Sequence, residues 1–296
     1  MRLGYACINT GLPSASRTVR LANATPERLR ELITGNLDAL EAILRWNAEH
    51  DVEVFRLTSD LIPFGSHPAN AVPWWSEFAS RFTELGALVA AAGARLSMHP
   101  GQYTVLSSHD PLIVARAIAE LDYQARVLTA LFLDESHKIV LHVGSGAADP
   151  RAAAGRFAAG VATLSDDARA RLVVEHDERW TLERVLELAA PLGLPVVFDA
   201  FHHSLAPSFP GASVRELVRR AGETWGPSDG RQEVHFSTQE PGKRPGAHAR
   251  SIDLGAFARF AEEVGDLPLD CILEVKDKEQ SLLRARPLLG GRAEGS

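Results

Sequence analysis

Cysteine is scarce: Cys7 and Cys271 are the only two in 296 residues. Two thiols in a chain this long make neither a disulfide framework nor a cysteine-based zinc site. A reduced, cytoplasmic compartment is the simplest expectation. Long apolar runs are missing too; Glu, Asp or Pro interrupts every apolar stretch, which argues against a transmembrane helix. Met1-Arg2-Leu3-Gly4-Tyr5 lacks the apolar segment of a secretory signal. Positive charge is not in excess, with a formal net charge of −7 and a pI of about 5.9. Taken alone, that balance argues against a partner made of phosphates. Formal charge omits bound cations, however, and several of them would reverse the sign locally. Any nucleic-acid surface must therefore be local. No Gly-rich phosphate turn follows the first apolar run (Ala6-Cys7-Ile8-Asn9-Thr10-Gly11), which weakens a dinucleotide-binding open sheet.

What is present is a globular composition, 45% hydrophobic and 23% charged, and a rhythm. Eight short apolar or β-branched runs read as strands: Arg2–Ile8, Val54–Thr58, Arg95–His99, Lys138–Val143, Arg171–His176, Pro195–Asp199, Gln232–Ser237 and Asp270–Val275. Between them lie stretches whose apolar residues recur at spacings of three and four, the signature of helices. These are Pro26–Glu49, Trp74–Ala92, Pro111–Leu133, Pro150–Thr163, Leu182–Leu192, Val214–Thr224 and Leu254–Val264. Thr25-Pro26 and Asp110-Pro111 are N-cap and N1 pairs. Alternating units without a linker predict one α/β domain, a single (β/α)8 TIM barrel over residues 1–285. The last unit is short and charged, and residues 286–296 read as a flexible C-terminal tail. In such a barrel Cys7 and Cys271 lie on neighbouring strands at different heights, too far apart to bridge.

The strand ends carry the chemistry. Histidine contributes 11 of 296 residues, and most of them gather at the C-terminal ends of consecutive runs. His99, His142, Glu175, Asp199, His202, Glu233, His235, His248 and Glu274 converge on one mouth, the face where barrel enzymes place their active sites. A single strand-end histidine is commonly a packed barrel residue, and a single carboxylate a cap. Five consecutive strand ends obeying that rule together would crowd uncompensated carboxylates against one another. Imidazole and carboxylate in one place are ligands of Zn²⁺, Mn²⁺ or Fe²⁺, and nine donors suffice for two or three divalent ions. His50, His67, His109 and His137 fall outside the pattern and read as surface or loop residues. Strand alternation turns His176 away from the lumen.

Several divalent ions at a barrel mouth suit hydrolytic phosphoryl transfer; the same ligands would also serve an aldose isomerase. The loops favour DNA. Pro100-Gly101-Gln102-Tyr103 follows His99 and would present an amide and an aromatic ring beside the ions, a pair able to wedge into a base stack. Lys243-Arg244, Arg250, Arg17 and Arg20 lie in loops on that face and are candidate phosphate contacts. Tyr5 and Asn9, at the end of the first strand, are placed to reach the lumen and the rim.

Taken together these segments resemble the UV damage endonuclease family. The resemblance rests on Gly4-Tyr5-Ala6-Cys7-Ile8-Asn9, Met98-His99-Pro100-Gly101-Gln102-Tyr103, Leu141-His142-Val143-Gly144, Asp199-Ala200-Phe201-His202-His203 and Val234-His235-Phe236-Ser237. It implies a TIM barrel related to endonuclease IV with up to three divalent ions, commonly including Mn²⁺ (Zn²⁺, Co²⁺ or Mg²⁺ being alternatives). It implies damaged double-stranded DNA as the substrate, cut immediately 5′ of cyclobutane dimers and 6-4 photoproducts, with abasic sites as lesser substrates. The products would carry a 3′-hydroxyl and a 5′-phosphate. Gln102 and Tyr103 would fill the gap left by a flipped dinucleotide, and Tyr5 would sit near the flipped bases or the scissile phosphate. Glu175, His235 and Glu274, with Tyr5, are the catalytic candidates. His99, His142 and Glu175 would hold one ion; Glu175, Asp199, His235 and Glu274 a second; His202 and His248, with Glu233, a third. Nothing calls for an obligate protein partner or a membrane.

Two positions depart from the family pattern. Glu233 stands where the family often carries a lysine that can be carboxylated, and is expected to supply directly the carboxylate that the modified lysine supplies elsewhere. In Glu175-His176-Asp177-Glu178, histidine follows the glutamate where the family commonly has asparagine. The rival readings are an abasic-site endonuclease of the endonuclease IV type, an aldose isomerase, and a lesion binder without activity.

Overall fold

The eight strands close into a parallel barrel in the order β1 to β8. The computed structural model describes residues 1–144, 146 and 148–290. The strands are β1 (Arg2–Cys7), β2 (Val54–Leu57), β3 (Arg95–Met98), β4 (Ile139–His142), β5 (Leu172–Glu175), β6 (Val196–Asp199), β7 (Gln232–Phe236) and β8 (Leu269–Leu273). In register, β1 meets β8 with Leu3 opposite Cys271 and Tyr5 opposite Leu273, so Cys7 lies well above Cys271. Both thiols are free.

Helices Pro26–Glu49, Pro111–Ala130, Pro150–Ala162, Leu182–Ala189, Val214–Gly222 and Leu254–Val264 surround the barrel. The caps form as the sequence predicts: Thr25 accepts from Arg28 N at 3.3 Å and Asp110 from Leu112 N at 2.8 Å. The segment Trp74–Ala92 divides at Phe78 into Trp74–Glu77 and Ala79–Ala91. Among the described residues, the short α-helices Asp166–Arg171 and Ala200–Leu205 have no counterpart in the periodic pattern, the latter opening on Asp199. The short last unit forms a helix, Glu279–Ala285, followed by Pro287–Gly290. Arg286 Nη1 donates to His50 O at 2.6 Å and Leu289 packs on the core, so the segment is anchored at least that far. The rest of the expected tail, 291–296, lies outside the described residues. No helix among the described residues is long and apolar enough to cross a membrane.

Strand alternation divides each strand between two environments. Leu3, Tyr5, Phe55, Leu57, Leu96, Met98, Ile139 and Leu141 face the helices and belong to the main core. The other face fills the barrel. At its N-terminal end an ion-pair plug closes the lumen, with Asp270 accepting from Arg2 Nε at 2.7 Å and Arg95 Nη1 at 3.0 Å. Lys138 Nζ donates to Asp229 Oδ1 at 2.6 Å nearby. Above it lie two apolar groups, Ala6/Val54/Ile272 and Val140/Val173/Val197. Gly4 is required here, because a Cβ would stand 2.5 Å from the Val54 carbonyl oxygen. The next inward positions, one residue pair higher, are the strand ends that build the candidate site.

Candidate metal centre

Glu175 ends β5 with 1% exposure and joins two groups of donors. Its Oε2 is 2.9 Å from His99 Nε2 and 3.4 Å from His142 Nε2, and its Oε1 is 2.6 Å from His235 Nδ1. His99, His142 and Glu175 form one set of ligand atoms within 4.8 Å of one another, and Glu175, Asp199 and His235 form another. A carboxylate placed between two three-donor sets has the chemistry of a bridging ligand between two cations.

Asp199 serves two purposes. Its Oδ1 caps the helix Ala200–Leu205, accepting from His202 N at 2.6 Å. Its Oδ2 is buried without a hydrogen-bond partner among the described residues, 4.0 Å from His235 Nδ1. A buried, unpartnered carboxylate oxygen is costly unless a cation or water takes it up. Behind it, His176 faces away from the centre, as alternation requires, and its Nε2 accepts from Asp199 N at 3.1 Å. Burial pushes the His176 imidazole down to about 3, so the ring stays a neutral acceptor.

Glu274, just beyond β8, lies beside the second set. Its Oε1 is 3.5 Å from His235 Nδ1 and its Oε2 3.5 Å from His248 Nδ1. Burial would raise the Glu274 carboxyl, but Arg56 and His235 outweigh it and hold it well below the ordinary range. The carboxylates in turn demand positive charge. Although burial opposes it, Glu175 draws His235 up to about 10. Asp199 and Glu175 likewise draw His202 up to about 9 against burial. Donor chemistry, the unpartnered Asp199 oxygen and this field together fit the binding of divalent cations.

His202 and His248 reach the same mouth, with ring centroids 5.9 Å apart. Neither belongs to the two three-donor sets found among the described residues. His202 Nδ1 instead lies 3.2 Å from Glu178 Oε1. Glu233 does not join them. It lies one inward position below His235, and its Oε1 is 3.0 Å from His235 Nε2 and accepts from Ser97 Oγ at 3.2 Å. Residues two apart on a strand share a face at different heights. Glu233 therefore meets the back of the His235 ring rather than the mouth.

Two expectations for the first strand are corrected. Tyr5 has 0% exposure. It packs edge-on against Trp46 and Phe55, and its hydroxyl donates to Asn47 Oδ1 at 2.7 Å. Gly4 and Ala6 hold the inward positions of β1, so alternation sends Tyr5 outward to the first helix, away from the lumen. Asn9 is buried beside it: Nδ2 donates to the Tyr5 hydroxyl at 3.2 Å and Oδ1 accepts from Gly11 N at 3.0 Å. Its amide holds the turn and is not on the rim. His137, expected at the surface, is 8% exposed, and its Nδ1 accepts from Leu96 N at 2.9 Å.

The loop candidates are exposed. Tyr103 is 71% exposed and Gln102 stands beside it. The ring lies over Gly101, where a Cβ would fall 2.5 Å from Tyr103 Cε1. Lys243 and Arg244 are exposed in the loop after β7, their carbonyls accepting from Gln239 Nε2. Arg17 is less free, its guanidinium bonded to Gly35 O.

Three charged residues at the centre were not among the candidates read from the sequence: Asp177, whose Oδ2 is 3.8 Å from His142 Nδ1, Glu178 and Arg56. Arg56 is 5% exposed, with Nη1 bonded to Glu274 Oε1 and Nη2 2.6 Å from His235 Nε2. Its signal was available: in Val54-Phe55-Arg56-Leu57 the arginine shares the inward face with Val54.

A parallel eight-stranded barrel whose C-terminal mouth carries two sets of imidazole and carboxylate donors sharing Glu175 defines a class of protein that could hold metal ions there. The chain belongs to the UV-endonuclease UvdE family, whose pattern it matches over residues 1–290. It is 35% identical over 289 residues to the UV DNA damage endonuclease of Clostridium perfringens, covering 96% of this chain and 69% of that one. It is 32% identical to the UV-damage endonuclease of Schizosaccharomyces pombe, covering 95% of this chain and 49% of the relative, so the chain spans about half the length of that fungal protein. The crystal structure of SacUVDE superposes with a TM-score of 0.92 at 35% identity, covering 98% of each chain. Endonuclease IV from Thermus thermophilus shares the fold, with a TM-score of 0.58 at 15% identity over 98% of this chain and 99% of that one.

Proposed function

We propose that this chain is a metal-dependent DNA repair endonuclease that hydrolyses the phosphodiester immediately 5′ of ultraviolet photoproducts, leaving a 3′-hydroxyl and a 5′-phosphate. Cyclobutane dimers and 6-4 photoproducts are the main substrates, abasic sites lesser ones, and Mn²⁺ the preferred ion. The observation that carries the reading is Glu175, whose two oxygens each meet a separate donor set while Tyr103 stands exposed on the loop after His99. Family membership supports the substrate class. DNA as substrate implies a cytoplasmic, nucleoid-bound enzyme.

Divalent cations, when bound, supply Lewis-acid activation for attack at phosphorus and for departure of the 3′-oxygen. His99, His142 and Glu175 would hold one; Glu175, Asp199, His235 and Glu274 a second; His202 and His248 are the residues available to a third. The chain's own contribution is orientation. His202 N fixes one oxygen of Asp199 so that the other stays aimed inward. Glu233 fixes the back of the His235 ring. Tyr103 and Gln102 would take the place of displaced bases, and Lys243 and Arg244 would hold phosphates along the strand.

A nicking assay with Mn²⁺ tests the reading, comparing irradiated duplex with abasic and undamaged duplexes. Preferential cutting of irradiated DNA is expected. Cutting confined to abasic sites would assign the chain to the endonuclease IV type, and saturable sugar turnover without nicking would make it an isomerase.

A further inference from the structure

Arg56 is an unusual resident of this centre. β2 turns its side chain into the lumen one layer above Val54. A guanidinium prefers a planar fork on a single carboxylate, but this one is divided among three neighbours. Nη1 donates to Glu274 Oε1, Nη2 lies 2.6 Å from His235 Nε2, and Glu233 Oε1 is 3.9 Å from Nη2. Its Nε is buried without a hydrogen-bond partner among the described residues. The arginine therefore touches two residues of one cation set and neither histidine of the other.

His235 Nε2 faces both Arg56 Nη2 and Glu233 Oε1, and a single nitrogen cannot accept from the one and donate to the other. Ligation through Nδ1 leaves the ring proton on Nε2. The contact with Glu233 then becomes a hydrogen bond, while the contact with Nη2 sets donor against donor. Arg56 also competes for Glu274 Oε1, and its positive charge is fixed inside a low-dielectric barrel where like charges repel strongly. Among the described residues no arginine or lysine is paired with His99, His142 or the other oxygen of Glu175, although the His202 ring lies 5.5 Å from that of His142.

We propose that Arg56 is the fixed counter-charge of the centre, a positioning residue that braces Glu274, crowds Nε2 of His235 and so makes the two cation sites unequal. The site of His99, His142 and Glu175 binds tightly, and the site of Asp199, His235 and Glu274 binds weakly and exchanges its ion. This inference rests on the metal-dependent reading above.

The test titrates chelator-stripped enzyme with Mn²⁺ by calorimetry and follows its melting in chelator by circular dichroism. Arg56→Gln keeps a donor for Glu274 without the charge; Arg56→Lys keeps the charge. Wild type should show two steps. In Arg56→Gln the tighter step should stay in place and the weaker should tighten about tenfold or more, while the metal-free protein melts at a lower temperature. Arg56→Lys should resemble wild type in both measurements. His99→Ala, which leaves Arg56 untouched, should abolish the tight step and spare the weak one, and keeps the test open if the glutamine variant does not fold. A weaker step that is unchanged or loosened in Arg56→Gln overturns the role of Arg56, and loss of the weak step in His99→Ala overturns the assignment of the tight and weak steps to the two sites. Absence of Mn²⁺ binding by wild type would instead sink the metal-dependent reading itself.

Discussion

Glu233 stands behind the His235 ring, its Oε1 3.0 Å from Nε2, while Nδ1 on the far side of the ring faces Glu175, Asp199 and Glu274. A carboxylate on the outer nitrogen fixes the tautomer and orientation of a ligating imidazole and raises its basicity; removing it typically costs ten- to a hundredfold in metal affinity. Glu233→Gln should therefore lose about ten- to a hundredfold in affinity for one of two Mn²⁺ ions, yet load fully at saturating metal. Metal content after equilibration at limiting and saturating Mn²⁺ checks this. Full loading of the variant at limiting metal would remove Glu233 from the centre.

Glu175 is the single side chain common to both donor sets, so its loss should affect both at once. Glu175→Gln keeps the shape of the residue and removes the charge. Incision of irradiated duplex should fall by about a hundredfold or more with an unchanged circular dichroism spectrum. His235→Ala should do the same while sparing the set of His99 and His142. An active Glu175→Gln enzyme with normal metal content would contradict the assignment.

The barrel and most of the cluster were legible because both follow from short-range rules. Alternating strand and helix periods imply the topology, and residues at the ends of parallel strands must meet at one mouth. Thus His99, His142, Glu175, Asp199 and His235 converge although they are scattered along the chain. What escaped depends on which face of a strand a residue occupies. Tyr5 follows Gly4, and an inward glycine offers no apolar side chain to reveal the register, so the outward turn of Tyr5 was hidden. Arg56 shares the inward face with Val54, but a lone arginine in a four-residue strand reads as solvated. Glu233 shares its face with His235, but height within the lumen is a tertiary property. It separates a residue that faces the mouth from one that stands behind the ring.

Tyr103 is 71% exposed and Gly101 leaves room for its ring, which leaves its aromatic face available to a base. Stacking of one base on an aromatic ring contributes about 1–3 kcal/mol. Tyr103→Ala should raise KM for irradiated duplex about tenfold or more while metal content stays normal. Gln102→Ala should act in the same direction more weakly. Unchanged KM with both variants would separate this loop from lesion recognition.

His137 provides a pH test of the fold that is independent of the mouth. Its Nδ1 accepts from Leu96 N at the base of β3. Burial pushes its imidazole down to about 4 from an ordinary 6.5, the neighbouring Asp134 only partly opposing. With the folded value depressed, the unfolded chain binds the proton first as pH falls. Stability is therefore fully present above pH 6.5 and is lost progressively between 6.5 and 4. The loss from this group amounts to about 3 kcal/mol at most. Below pH 4 both states are protonated and the contribution stops changing. His137→Asn keeps an acceptor in the place of Nδ1 and cannot titrate. Denaturant unfolding of metal-free protein at pH 6.5 and pH 4.5 should show a smaller fall for the variant than for wild type. Equal falls in the two proteins would place the acid sensitivity elsewhere, in groups such as His176 that are also buried in neutral form.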